Sequence, residues 1–365
     1  MHAHCYGRSE SNTSGRFSWF WIDASQVRGV RVLGQTGCRL VTGLSIQGYE
    51  ALIMENRRLA IWILPGKGGD IVQFLYKPKD VDFTWSTVWG LRAGRLERNF
   101  TEQYEGGWQE VFPNGGTPVT YRGAELGQHD EVSRLPWHWK VLEESVDCVQ
   151  VKLSVDLIKT PFRLEKVLTL RADSGLRMEE TALNLSAEEQ YAMWGQHLAF
   201  GSPLLTPECR IDTKARTVLV VDGASELRRY RPGRYEWPWV DGVEGQRHDL
   251  RVVPGRDGTR DIVYLTDFPD GHGGYRLIHP GHGLELAVSW DASVLTHCWY
   301  WQEFGAPGYP WYGRHYNIGL EPFRGYPTHG LLEAIDNQTA LRLAGGAQET
   351  LVMDIEVHDH DKVSR

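Results

Sequence analysis

Three polar side chains stand in surroundings poorly suited to hold them. His129 lies within Gln128 to Trp137, QHDEVSRLPW. Pro136 has no backbone N–H and biases Leu135 to an extended conformation. A loop is therefore expected there, running into a strand with Trp137 and Trp139 on one face and His138 and Lys140 on the other. His197 is embedded in an apolar, aromatic stretch, WGQHLAFG, and Glu321 sits in NIGLEPF just before Pro322. A carboxylate at the end of an apolar strand is costly to bury without a partner. An imidazole and a carboxylate held together in a cleft can share general acid–base work.

The elements that must position these groups read as strands. Ala51 to Met54 and Leu59 to Leu64 are apolar runs joined by a short turn, so they predict a hairpin. Asp70 to Tyr76 and the aromatic, β-branched Thr84 to Leu91 are further strand candidates, while 97–107 is polar and loop-like. The Gly66-Lys67-Gly68-Gly69 run is no P-loop, because no Gly-Lys-Ser/Thr opens a helix after it. Val149, Val151, Leu153, Val155 and Leu157 alternate with polar residues, the period of a sheet with one face on a core. Similar strand candidates continue to Thr350–His358. No stretch much beyond ten residues has a helical period, and only a short helical turn near 330–336 is expected. Many strands at short spacing without alternating helices predict an all-β fold, a large antiparallel sandwich. No linker or repeat interrupts it, so one domain is expected over 16–365, preceded by a polar tail at 1–15.

Composition narrows the partners. The net charge of −8 argues against a general nucleic-acid binder. No apolar run approaches the ~20 residues of a membrane-spanning helix, and no signal-peptide pattern opens the chain. Five widely spaced cysteines without a CxxC fit reduced thiols in a cytoplasm. The 15 Trp, 15 Tyr and 11 Phe supply large aromatic faces, on which the C–H faces of a sugar stack.

Five short motifs occur in an order that resembles one family. They are ILPGKGGDI from Ile63, GWQEVFPNGG from Gly107, HDEVSRLPW from His129, WGQHLAFG from Trp194 and LEPF from Leu320. Over residues 48–358 the chain is similar to the aldose 1-epimerases of the galactose mutarotase-like superfamily, above all to the hexose-6-phosphate epimerase-type branch. The resemblance implies a β-supersandwich, a free sugar or sugar phosphate as partner, and no metal or organic cofactor. It implies Glu321 as catalytic base, His197 as acid, and His129 as a donor that holds the sugar. Trp108, Gln109, Trp301, Gln302 and Asp241 are expected sugar contacts. Arg98, with Arg92 and Arg95, would meet a phosphate.

The chain departs from that family in two places. Asp130 and Glu131 follow the first histidine, where a small Gly-containing motif is usual; two acids close to the imidazole would raise its pKa. Leu198-Ala199-Phe200 follows the second, where Pro and an aromatic residue are usual. The segment 228–246, rich in Arg, Trp and Pro, is expected to form a lid. Two other readings stay open. A glycoside hydrolase or lyase of similar sandwich fold would pair Glu321 with Glu110, Asp130 or Glu131 across the scissile bond. A non-catalytic carbohydrate-binding protein would use the aromatic residues alone. A metal site of His129, His197 and a carboxylate lacks helical ligand spacing.

Overall fold

The computed structural model describes residues 37–93, 99–223 and 227–360. The expected tail at 1–15 therefore lies outside the described residues, as do Arg95 and Arg98. Among those described, strands dominate. Twelve form one mixed-length antiparallel sheet and eight form a second. The eight-stranded sheet contains the alternating segments. Cys148–Asp156 pairs with Phe162–Arg171, and Phe162–Arg171 with Leu176–Asn184, all antiparallel. Val149, Val151, Leu153 and Val155 point inward and are buried, while Gln150, Lys152 and Ser154 are half-buried between them. One face of this sheet is thus covered and the other wetted.

The centre of the larger sheet is different. Its neighbours run Trp108–Val111, Trp194–Gly201, Tyr316–Arg324, His297–Phe304, Arg260–Thr266. Every residue of Trp194–Gly201 is buried, and so is all of Tyr316–Arg324 except Arg324. These strands are covered on both faces. Towards the second sheet they contribute Trp108, Leu198, Leu265 and Ile318 to a core shared with Val151, Leu168, Met178 and Ile355. At typical transfer values, burying a side chain of this size stabilises by about 1.5–3 kcal/mol. On the outer face lie a smaller cluster, including Val111, Tyr264, Trp299 and Phe323, and an aromatic one, Trp85, Phe100, Tyr104, Ala199 and Trp311.

Two expectations need correction. Thr84 to Leu91 is not a strand; it is irregular, with an isolated bridge from Ser86 to Gly106. Its aromatic residues serve packing instead, Trp85 edge-on to His315 at 4.7 Å and Trp89 against Trp311 at 5.2 Å. The 228–246 segment is not a lid. Gly233–Glu236 extends the edge of the larger sheet beside Thr217–Val220, and Trp239–Asp241 forms a hairpin with Arg247–Asp249. The four described cysteines, Cys38, Cys148, Cys209 and Cys298, are buried free thiols. No helix among the described residues is long and apolar enough to cross a membrane.

Candidate functional site

Register brings the two predicted acid–base groups together. Trp194–Gly201 pairs with Tyr316–Arg324 so that Gly195 faces Phe323 and Ala199 faces Gly319. His197 and Glu321 lie midway between those pairs, opposite each other and on the same face. Across the next strand Trp299 opposes Glu321 and Trp301 opposes Gly319. A Cβ at Gly319 would come within 2.2 Å of Glu321 Oε1, so the carboxyl group occupies space that only glycine leaves free. His197 Nε2 and Glu321 Oε1 are 3.5 Å apart, and both residues are buried.

These groups face a cavity of about 450 Å³ on the outer side of the larger sheet. Its walls are aromatic: Phe100, Tyr104, Trp299, Trp301, Tyr309 and Trp311. His129 enters from the loop before Pro136, in the left-handed region at φ +49. Such a conformation costs a non-glycine residue of order 1–3 kcal/mol and needs support. Ser133 Oγ donates to the His129 carbonyl at 2.8 Å, and the Asn114 N–H donates to the Asp130 carbonyl at 2.9 Å. The Gly116 N–H donates to His129 Nδ1 at 3.2 Å. With Nδ1 accepting, the neutral ring carries its proton on Nε2 and is a donor there. The ring packs edge-on to Phe100 at 4.6 Å and lies 5.3 Å from the His197 ring.

Phe100 and Tyr104 come from the short helix Phe100–Gln103 and the residue that ends it. Asn99 caps the helix, its side chain accepting from the Glu102 N–H. The Tyr104 carbonyl accepts from Thr87 Oγ1 at 3.2 Å, and the Thr87 N–H donates to the Glu105 carbonyl at 2.7 Å. Glu105 and Asp70 both pair with buried Lys67, at 2.7 and 2.5 Å. The Tyr104 ring stands 5.2 Å from His197, nearly perpendicular to it.

Burial governs the electrostatics. It pushes the Glu321 carboxyl well above the usual carboxylate range and His197 down to about 4. Burial, and then neighbouring His197, hold His129 well below the ordinary imidazole value. The acids that follow His129 in sequence do not raise it, because they point elsewhere. Asp130 pairs with Lys159, and Glu131 accepts from the backbone N–H groups of Ile158 and Lys159 at 2.6 and 2.9 Å. At neutral pH both histidines are uncharged and Glu321 is driven towards its protonated form.

Of the expected sugar contacts, only Trp301 lines the cavity. Trp108 faces the inter-sheet core, its indole N–H donating to Gln196 Oε1 at 2.8 Å. Gln302 also points away from the cavity and accepts from the Tyr230 hydroxyl at 2.8 Å. Gln109 shares the face of His197 in register but donates to the Gly106 carbonyl beneath the site. Asp241 is exposed on the edge hairpin. Arg98 lies outside the described residues. Arg92 is exposed, with its guanidinium 5.5 Å from the Trp89 ring. Tyr104, Trp299, Tyr309, Trp311 and Arg260 line the cavity without having been expected there. Arg260 donates to the carbonyls of Tyr309 and Pro307, at 3.1 and 3.2 Å, and so ties down the wall they belong to. No group of three or more His, Cys, Asp or Glu among the described residues is arranged to hold a metal ion.

A family model described as "Domain of unknown function (DUF4432)" matches residues 46–357. No curated protein matches the sequence. Among solved structures, a protein of Klebsiella pneumoniae subsp. pneumoniae MGH 78578, provisionally named an aldose 1-epimerase, superposes with a TM-score of 0.69 at 13% identity, covering 94% of this chain and 92% of its own. A protein of Salmonella typhimurium, provisionally named a mutarotase, gives 0.61 at 11% identity, over 88% and 94%. A galactose mutarotase-like protein of Clostridium acetobutylicum gives 0.60 at 12% identity, over 88% and 99%. At these identities the likeness speaks for the fold, which is the galactose mutarotase-like supersandwich.

Proposed function

For a chain that belongs to the DUF4432 family and folds as a galactose mutarotase-like supersandwich, we propose the function of an aldose 1-epimerase, an isomerase that interconverts the α and β anomers of a sugar. One observation carries the reading: His197 and Glu321, buried 3.5 Å apart, face an aromatic cavity together. Anomer exchange needs a base for the C1 hydroxyl and an acid for the ring oxygen. A pair that holds one proton between its members supplies both.

Burial favours that proton on Glu321 in the free site. Its transfer to His197 creates the carboxylate and imidazolium that the reaction uses. Glu321 then takes the proton from O1 while His197 gives its own to the ring oxygen. The C1–ring oxygen bond breaks and a carbonyl forms at C1. After rotation about C1–C2, Glu321 returns a proton to O1 and His197 takes one from the attacking hydroxyl, which restores the carboxylate–imidazolium pair; the proton then passes back from His197 to Glu321. His129, donating from Nε2, holds the sugar. Trp301 and the other aromatic walls match the C–H faces of the ring.

Among the described residues the hydrolase reading lacks its second carboxylate. Glu110 is buried between the sheets against Lys166, and Asp130 and Glu131 are engaged as described above. Asp261 borders the cavity, but its carboxylate accepts from the backbone N–H groups of Arg229, Tyr230 and Ile262. A phosphate on the substrate draws no support from Arg260, whose donors meet backbone carbonyls. We place the protein in the cytoplasm, in keeping with its free thiols, and treat the described part of the expected 16–365 domain as one folding unit, since core residues from Leu52 to Val357 belong to one cluster.

NMR exchange spectroscopy on a panel of free aldoses and ketoses tests the reading. Catalysed exchange between anomer signals is expected for at least one sugar. Release of reducing ends from a glycoside, with no acceleration of anomer exchange, would overturn it in favour of a hydrolase.

A further inference from the structure

Tyr104 is 3% exposed, lines the cavity, and its hydroxyl makes no hydrogen bond within the protein. Two other residues that line the cavity also carry a buried atom without a hydrogen bond, Glu321 at Oε1 and His197 at Nδ1. Leaving a buried hydroxyl unpaired costs of order 1–3 kcal/mol. A phenylalanine would fill the same volume without that cost. The segment is nonetheless clamped in place, by Thr87 through two backbone carbonyls and by Lys67 through Glu105. The hydroxyl is thus held rigidly and kept free, which suits a group whose partner arrives with the substrate.

Resting on the epimerase reading above, we propose that Tyr104 is a third catalytic residue, whose phenol donates a hydrogen bond to O1 of the sugar. O1 is the oxygen that Glu321 deprotonates, and it passes through an alkoxide-like state before becoming the carbonyl oxygen. A fixed donor there stabilises charge that develops only in the transition state. No proton is transferred: the phenol keeps its hydrogen throughout, and the proton balance of the His197–Glu321 pair is unchanged. Burial, and then the carboxylates of Glu321, Glu105 and Asp70, push the pKa of this phenol well above the ordinary value. The phenol therefore remains a donor across the working range.

The test compares wild type, Tyr104→Phe and a protein with 3,5-difluorotyrosine at 104, on the aldose that wild type exchanges fastest. Removing one such donor typically costs ~10²–10³ in kcat. Tyr104→Phe should show a fall of about that size, KM little changed, and a melting temperature equal to or above that of wild type. Difluorotyrosine, a stronger donor of nearly the same shape, should raise kcat. Unchanged kcat in both variants overturns the proposal, and so does a loss of kcat that merely tracks a falling melting temperature. A wild type that exchanges no sugar sinks the epimerase reading itself, a result seen before either variant is made.

Discussion

Gln196 and His197 are neighbours in one strand and belong to two opposite polar environments. Gln196 points between the sheets, where its amide donates to Glu110 and Glu180, each at 2.8 Å. Lys166 Nζ reaches the same two carboxylates at 2.8 and 3.0 Å, and the Trp194 indole donates to Glu110 at 2.7 Å. Burial opposes the Lys166 charge, but the two carboxylates outweigh it and hold the ammonium above its ordinary pKa. Burial and then neighbouring Glu110 push the Glu180 carboxyl well above the usual carboxylate range. On the other face, His197, Glu321 and Tyr104 are as deeply buried but leave polar atoms without partners. Burial alone therefore does not mark a site. A network closed around a buried ammonium and an amide ties two sheets together; open polar atoms beside a cavity are arranged for something that binds.

That contrast breaks most sharply by mutation. Glu321→Gln should lower anomer exchange ~10²–10⁴-fold, the usual contribution of one acid–base group, without unfolding the protein. Its stability should equal or exceed that of wild type, and the margin should widen as pH rises. Glu321 has a folded pKa above its unfolded one, so whatever it contributes is present at low pH and is lost as pH climbs through the folded value. Lys166→Met should do the reverse. Losing one partner of a buried ion pair typically costs ~3–5 kcal/mol, so the chemical denaturation midpoint should drop steeply while the rate per folded molecule holds. Equal effects on stability from both variants would erase the distinction.

Smaller differences sharpen the comparison. Trp301→Ala removes a cavity wall and should weaken apparent sugar affinity by up to ~10-fold, the scale of one aromatic stacking contact. Trp108→Ala should leave affinity unchanged while costing ~3–5 kcal/mol of stability, as a large core truncation does. The mildest effect concerns pH. His197 and His297 are both depressed by burial to about 4. Between about 6.5, the unfolded value, and 4 the unfolded chain binds more protons. Stability is therefore full above 6.5 and declines as pH falls towards 4. His297→Gln should flatten part of that decline in melts recorded across the range; a slope unchanged by the substitution would remove His297 from the account.

How far the sequence could be read depended on contrast. His129, His197 and Glu321 stood out because polar residues interrupt apolar or rigid surroundings. The alternating strands of the eight-stranded sheet were equally plain, since one face is wet. The central strands hid their orientation. HCWYWQEF is buried on both faces, so nothing in its composition says that Trp301 faces the cavity and Gln302 does not. The resemblance placed Trp108 and Gln302 in the site; parity relative to Glu321 becomes visible only once pairing fixes the register. Phe100 and Tyr104 lay in a polar stretch without any period. Their clamp, from Lys67 and Thr87, comes from residues distant in sequence.

Gly319 carries one more implication. Its missing side chain and the Glu321 carboxyl compete for the same few cubic ångströms, so the two positions are not independently mutable. An alanine at 319 displaces the carboxyl even though it touches no substrate, and a shorter acid at 321 would make room for that alanine. In a chain of this fold that carries a bulkier residue two places before the glutamate, that glutamate cannot be assumed to occupy the same place.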